Sequence, residues 1–400
     1  GDDLAVPQEH GPVRVVCFKR AVKAGGRVRV HPLQLRRAAR QRPAFLFGVI
    51  QPLFLRLKRV AADVLEVAAG KPAQHAHGFH LYNRVHDRAS RPVQIFEFSK
   101  YNYNKIQSVI SGNVEENVDR ITKENLGDIM ITGATGFLGI HVLKAYLDNY
   151  DGKAYCLVRK GAYESSEKRM MNMLMYYFDN PYREMFKERI VCVDGDITSK
   201  EEVNGFSAYK FNTIINCAAC VKHFAAGDVL EKINVHGVEN LVDFCKNNGR
   251  RLIQISTVSV AGEGSNGVPP MSRLFGENDL YIGQSITNEY IRTKFLAERV
   301  VLEAVADGLD GKIMRVGNLM SRDSDGEFQI NFITNGFLRS LRGYKAVGKF
   351  PIGGMHEVAE FSPIDSTALA VLKLAQTDRR FTVFHACNSH HIYMADLIYA

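Results

Sequence analysis

The stretch GDIMITGATGFLGIHVLKAYL, Gly127 to Leu147, decides the fold. A short apolar strand, DIMI, runs into three glycines spaced GxxGxxG and then into an amphipathic helix. A strand-to-helix turn this tight needs Gly133 for its backbone angles. Gly136 leaves room for a pyrophosphate to approach the main chain, and Gly139 lets helix and strand pack closely. The free N–H groups and partial positive charge at the helix N-terminus suit phosphate. Glycine spacing alone says little; the strand before it and the helix after it give it meaning. The reading is a dinucleotide-binding turn.

Downstream, strands and helices alternate, as in a parallel sheet covered on both faces. KAYCLVR (Lys153–Arg159) is a second strand, and the long helical stretch SSEKRMMNMLMYYFDN leads to RIVCVDGDI (Arg189–Ile197). NTIINCAA (Asn212–Ala219) and RLIQISTVSV (Arg251–Val260) read as buried strands, with a helix around VLEKINVHGVENLVDFCKNN between them. A helix from about Asn288 to Ala306 precedes a sixth strand, KIMRVGN (Lys312–Asn318). The fold class is α/β, a doubly wound parallel Rossmann sheet.

The second strand ends in Arg159 and Lys160, about where an acid on the adenosine ribose would mark NAD. A guanidinium there pairs instead with a 2′-phosphate, so the cofactor is expected to be NADPH. Tyr290 and Lys294, in YIRTK, are spaced i, i+4 and share a helix face. A phenol with a pKa near ~10 is a poor acid–base group at neutral pH, and an ammonium one turn away should lower it. Thr257 ends the fifth strand, at the sheet edge that faces the cofactor, where its hydroxyl can bond a substrate carbonyl beside Tyr290.

Composition sets this region apart from what precedes it. Residues 1–95 carry 13 Arg and 4 Lys against 6 acids, and so account for more than the whole chain's formal charge of +8. They favour Arg over Lys and hold a single Asn, Asn83, whereas SKYNYNKIQSVISGN beyond them is rich in Lys, Asn, Ile and Ser. QLRRAARQR would suit a nucleic-acid backbone, but no recognition motif accompanies it. We read 1–95 as an atypical basic leader outside the core, 96–126 as a linker or entry helix, and 127–400 as the NADP-binding domain. No nucleic-acid partner is expected. The longest apolar run, Ala44–Leu55, is broken by Gln51 and Pro52 and is too short to span a bilayer. Seven scattered cysteines match a reducing, cytoplasmic setting. CAAC (Cys217–Cys220) lacks a second pair and HAHGFH (His75–His80) a neighbouring ligand cluster, so no metal site is expected.

With these elements in place, the sequence resembles the extended short-chain dehydrogenase/reductases, and within them the thioester reductases that end nonribosomal peptide synthetases, with their carboxylic acid and fatty acyl reductase relatives. The resemblance runs from about Asp128 to Ala400 and rests on TGATGFLG, CLVRKG, VDGDI, INCAACVKHF, INVHGVENL, ISTVSV, NEYIRTKFLAER, MRVGNLMSR and FSPIDSTALAVLKL. The helical insertion between CLVRK and VDGDI separates this group from ordinary sugar epimerases. The resemblance assigns Thr257, Tyr290 and Lys294 to catalysis. It places Gly133, Thr135, Gly136, Phe137, Leu138 and Gly139 around the pyrophosphate, and Arg159, Lys160 and Arg169 at the 2′-phosphate. Asp196 and Ile197 would flank the adenine, Ala218, Ala219 and Val221 the ribose and nicotinamide side. Asn234 would buttress the active-site strands, and Gly317 and Asn318 would begin the substrate side.

The resemblance further implies a partial, mostly helical substrate lobe at the C-terminal end. Family members continue past a segment like IYMADLIYA, so the 127–400 domain is expected to be C-terminally truncated. The implied function is NADPH-dependent reduction of a carrier- or CoA-bound acyl thioester to an aldehyde, with the alcohol as a further product. The implied partner is a phosphopantetheine-bound acyl or peptidyl thioester on a carrier protein. A nucleotide-sugar epimerase or other carbonyl reductase of the superfamily is the competing enzyme, and an NADP-binding sensor the competing non-enzyme. Turnover of an acyl thioester separates the three.

Overall fold

Seven parallel strands form the central sheet, and their order fixes where a ligand can sit. The computed structural model describes residues 124–399 apart from 160, 180–181, 222–226, 263–274, 283, 285, 352–353 and 356–357, together with Ile106 and Val109. The expected leader lies outside the described residues, as do Lys160 and nearly all of the expected entry helix. Asp325–Glu327 aside, the described residues form one compact unit.

The strands are β1 (Ile129–Thr132), β2 (Ala154–Val158), β3 (Ile190–Asp194), β4 (Thr213–Asn216), β5 (Arg251–Thr257), β6 (Gly311–Val316), β7 (Leu319–Met320), β8 (Val358–Glu360), β9 (Ser362–Pro363), β10 (Val383–Ala386) and β11 (His391–Tyr393). The sheet order is β3-β2-β1-β4-β5-β6-β10, with β7 paired to β9 and β8 to β11 in two small ribbons. The order reverses between β1 and β4, so the loops leaving these strands diverge and open a crevice at their carboxyl ends. Register places Thr132 opposite Asn216, and Thr257 opposite Val316, along that edge. The six expected strands are all present. β10 is a seventh, beyond the sequence reading.

Among the described residues the α-helices of six residues or more are α1 (Phe137–Asn149), α2 (Ser166–Phe178), α3 (Gly237–Asn248), α4 (Glu289–Ala306), α5 (Gly336–Val347), α6 (Ile364–Ala375) and α7 (Met394–Tyr399). Ser165 and Asn288 start α2 and α4 by accepting bonds from the exposed first-turn amides, and Gly249, at φ +60°, stops α3 in the left-handed region. The period-2 alternation of the strands sorts the core. Ile129, Ile131, Ile253, Ile255, Met314 and Val316 join α1, α2 and α6 in one apolar cluster. The intervening Ser256 and Arg315 meet Glu298 of α4 instead. The face of the sheet that Ser256 and Arg315 share is thus the one covered by α4, the helix of Tyr290 and Lys294.

Candidate active site

The glycine turn has the geometry its spacing implied. Gly133 sits at φ +65°, and a Cβ there would lie 2.7 Å from the Ala218 amide nitrogen in the loop after β4. A Cβ on Gly139 would meet the Gly133 carbonyl oxygen at 2.2 Å, so α1 rests directly on the turn. Gly136 is exposed and begins α1 without a side-chain cap, and no acid occupies the first turn. This cradle fits a dinucleotide's phosphates, because its first amides remain open to an anion and no carboxylate competes. Thr135 is half-buried beside Gly136. Phe137 and Leu138 turn their side chains elsewhere: the Phe137 ring packs edge-on against His141 (5.1 Å) and Phe328 (5.5 Å), and Leu138 is buried in the core. What those two residues offer a phosphate is backbone.

At the end of β2 the structure gathers Arg159, Arg169 and Asp196. Arg169 donates to the Arg159 carbonyl, and the exposed Arg159 guanidinium lies 3.4 Å from Asp196 Oδ2. Burial pushes the Asp196 carboxyl up, but bonds from the Thr198 amide and hydroxyl, with the Arg159 charge, outweigh it and leave the pKa lowered. Ile197 is buried and its carbonyl accepts from Asn240 Nδ2 at 2.9 Å. Ala218 and Ala219 are half-buried in the loop beside Gly133, whereas Val221 is exposed.

Thr257 ends β5 beside the first turn of α4, where its hydroxyl favours the ionised form of the Tyr290 phenol and donates to Ser259 Oγ at 3.1 Å. Lys294, fully within the protein, donates from Nζ to the Ile255 carbonyl at 2.6 Å. Here the structure corrects the expected electrostatics. Burial raises the Tyr290 pKa to about 12, against the opposing influence of the Thr257 hydroxyl, rather than a lysine charge lowering it. Burial also lowers Lys294 to about 8, with Glu298 and the Cys217 thiol acting the other way. Spacing put the two groups on one face, but the carbonyl of Ile255 takes the ammonium and desolvation governs both groups.

Asn234 ties the site together. It lies in a π-turn, Lys232–His236, that interrupts the helical run before α3. Its Oδ1 accepts from Cys220 N at 2.8 Å, while Nδ2 donates to Cys220 O at 3.0 Å and to Thr293 Oγ1 at 3.1 Å. One amide therefore braces both the loop after β4 and the helix that carries Tyr290. Gly317 and Asn318 are engaged by another partner: Glu360 Oε2 accepts from Asn318 N at 2.6 Å, and a Cβ on Gly317 would lie 2.3 Å from that carboxylate. Burial raises the Glu360 pKa despite bonds from Ser362, Asn318 and Asn388.

Two polar groups here escaped the sequence reading. Asn216 accepts from Thr132 Oγ1 and Ala218 N and donates to Gln254 Oε1, a buried row across β1, β4 and β5. Glu298 holds Arg315 and Ser256. The signal for the second was Glu298 four residues after Lys294, with an arginine between two apolar strand residues, Met314 and Val316. Cys217 and Cys220 are free thiols, with Cys217 pushed up to about 12 by burial, and no metal-binding cluster exists among the described residues. A cavity of about 450 Å³ lies at the opposite, amino-terminal edge of the sheet, lined by residues such as Asn212, Arg250 and Asp310. It is remote from this chemistry. No described helix is long and apolar enough to cross a membrane.

Comparison with known proteins matches the family model NAD_binding_4, Male sterility protein, to residues 131–371. The chain is 38% identical to a thiolation-reductase di-domain from an archaeal non-ribosomal peptide synthetase, covering 75% of this chain and 81% of that one at a TM-score of 0.71. It is 30% identical to the Aureusimine biosynthetic cluster reductase domain, covering 74% and 77% at a TM-score of 0.64. Among curated proteins it is 26% identical to glycine betaine reductase ATRR of Emericella nidulans, over 64% of this chain and 20% of that protein. It is 24% identical to L-2-aminoadipate reductase of Schizosaccharomyces pombe, over 66% of this chain and 19% of that protein. The matched region thus spans a fifth or less of these two curated proteins.

Proposed function

Because the chain belongs to the Male sterility protein family, as an extended short-chain dehydrogenase/reductase of the thioester reductase type, we propose that it reduces an acyl or peptidyl thioester with NADPH. The observation that carries this reading is Thr257 placed beside the Tyr290 phenol, with Lys294 one turn along and bonded to the Ile255 carbonyl of the same strand end. The two hydroxyls would share the thioester carbonyl oxygen. A phenol held near pKa 12 stays protonated at neutral pH, so Tyr290 keeps the proton that this oxygen takes as it becomes negative. Thr257 would donate the second bond. Lys294, poised near 8, would hold the nicotinamide ribose with its ammonium.

The glycine turn and the first amides of α1 would hold the pyrophosphate, and Arg159 with Arg169 the 2′-phosphate through charge-assisted bonds. Asp196 already pairs with Arg159, and so would orient it. Reduced nicotinamide, when bound, supplies the hydride. The first product would be the aldehyde, with the thiol returned on its pantetheine arm. A carrier domain bearing that arm is the proposed partner, in keeping with a relative that joins thiolation and reductase domains in one chain. The experiment is a panel of acyl-pantetheine thioesters mixed with NADPH, with loss of NADPH and appearance of aldehyde followed together. Consumption with at least one acyl thioester is expected. Consumption only with nucleotide sugars or free ketones would overturn the proposal.

A further inference from the structure

Behind the Thr257–Tyr290–Lys294 group lies an ion pair with no solvent contact on either side chain, Glu298 on α4 and Arg315 on β6. Glu298 is one turn beyond Lys294 on the same helix. Its Oε1 accepts from Ser256 Oγ at 2.6 Å, and Ser256 is the residue before Thr257. Arg315 reaches both carboxylate oxygens, with Nε at 3.0 and 3.2 Å and Nη2 at 2.8 Å from Oε2. Its remaining donors go to the Gly276 and Asp279 carbonyls at 3.2 and 2.9 Å and to His385 Nε2 of β10 at 3.3 Å, and the guanidinium stacks over Phe275 at 4.9 Å. Five pieces of chain therefore meet at one carboxylate and one guanidinium: the end of β5, the helix bearing Tyr290, β6, β10, and the segment 275–279.

A buried ion pair is a poor way to stabilise a fold, because desolvation offsets most of the attraction and apolar replacements are often neutral or better. Such a pair retained beside a reaction centre calls for another reason. We propose that Glu298 and Arg315 are positioning residues: they hold β5 and α4 in the register that sets Thr257 on Tyr290, and Glu298 supplies the counter-charge that keeps Lys294 an ammonium. This rests on the roles assigned above to Thr257, Tyr290 and Lys294. The groups facing Lys294 are Glu298 and Tyr290 on its own helix, the Cys217 thiol from the loop after β4, and the Ile255 carbonyl of β5. Arg315 reaches Lys294 only through Glu298, and His385 of β10, 3.3 Å from Arg315, lies one step further. Glu298 is the one carboxylate among these groups. Its removal favours the neutral amine and moves the loss of the ammonium to lower pH.

The test uses the full chain carrying Glu298→Leu with Arg315→Met, and separately Glu298→Gln, which keeps the shape and one acceptor but not the charge. Thermal unfolding, NADPH affinity from pH 6 to 9, and turnover of an acyl-pantetheine thioester are measured for each. The expected result is a folded double variant whose alkaline midpoint for NADPH binding falls by about one pH unit. Its turnover should fall ~10- to 100-fold, as a displaced Thr257 requires. Glu298→Gln, which leaves the Arg315 charge uncompensated, should lower the midpoint at least as far, so the test stands if only one variant folds. A folded variant with the wild-type midpoint and wild-type turnover overturns the proposal. A shifted midpoint without thioester turnover in any form, wild type included, leaves the Lys294 counter-charge standing and refutes the thioester reading instead.

Discussion

Asn234→Ala separates the loop after β4 from the helix of Tyr290. Asn234 is 2% exposed and makes three bonds at 2.8, 3.0 and 3.1 Å. Each net bond is worth about 1 kcal/mol, and the Cys220 amide and carbonyl, left half-buried without a partner, cost more. The expected loss is about 2–4 kcal/mol, or roughly 3–7 °C in Tm. Urea denaturation followed by circular dichroism measures it. Because the lost bonds link Cys220, in the loop after β4, to Thr293 on the helix of Tyr290, thioester turnover should fall ~10- to 100-fold as well. Asn248→Ala, which removes one bond to the Phe244 carbonyl on an exposed helix end, is the control. It should cost no more than about 1 kcal/mol and leave turnover unchanged. An Asn234→Ala protein within about 0.5 kcal/mol of wild type and of equal activity would refute the bracing role.

Gly139→Ala drives a Cβ against the Gly133 carbonyl, so a loss of about 1–3 kcal/mol is expected, with weaker NADPH binding; unchanged values for both would contradict the cradle. Arg159→Ala should weaken NADPH binding and spare NADH, and equal wild-type affinity for the two cofactors would sink the 2′-phosphate assignment. Burial lowers the His141 pKa from 6.5 to about 4, against the bond from its ring to the Phe137 carbonyl, so the unfolded chain takes up this proton before the folded one does. The stability from a neutral His141 is then whole above pH 6.5 and lost as pH falls towards 4, by about 2 kcal/mol between pH 7 and 4.5. His141→Leu should remove that part of the acid sensitivity in urea titrations, and an identical slope in both proteins would rule it out.

What could be read from the sequence was local. The glycine turn declares itself in seven residues because φ +65° at Gly133 and the contact at Gly139 each demand the smallest side chain. The Tyr290–Lys294 spacing is likewise a property of one helix, and Thr257 follows from where its strand ends. The features that were missed are made by distant partners. β10 is only four residues long and carries His385 towards Arg315, so its sequence has no clean apolar run. Glu298, Arg315 and Asn216 look like surface groups until their partners, 17 to 84 residues away, are in place. The electrostatic error has the same root. Spacing showed that Lys294 and Tyr290 share a face, but burial and the Ile255 carbonyl, 39 residues away, decide where the ammonium points.

The central claim is that Tyr290 gives its proton to the oxygen of a thioester carbonyl. The direct measurement is turnover of an acyl-pantetheine thioester by Tyr290→Phe beside wild type, with NADPH affinity determined for both. The variant keeps the ring and its packing and loses only the hydroxyl beside Thr257. NADPH affinity should be nearly unchanged and turnover lower by ~100- to 10,000-fold, the range of general acid–base catalysis. A Tyr290→Phe protein that reduces the thioester at the wild-type rate would contradict the account.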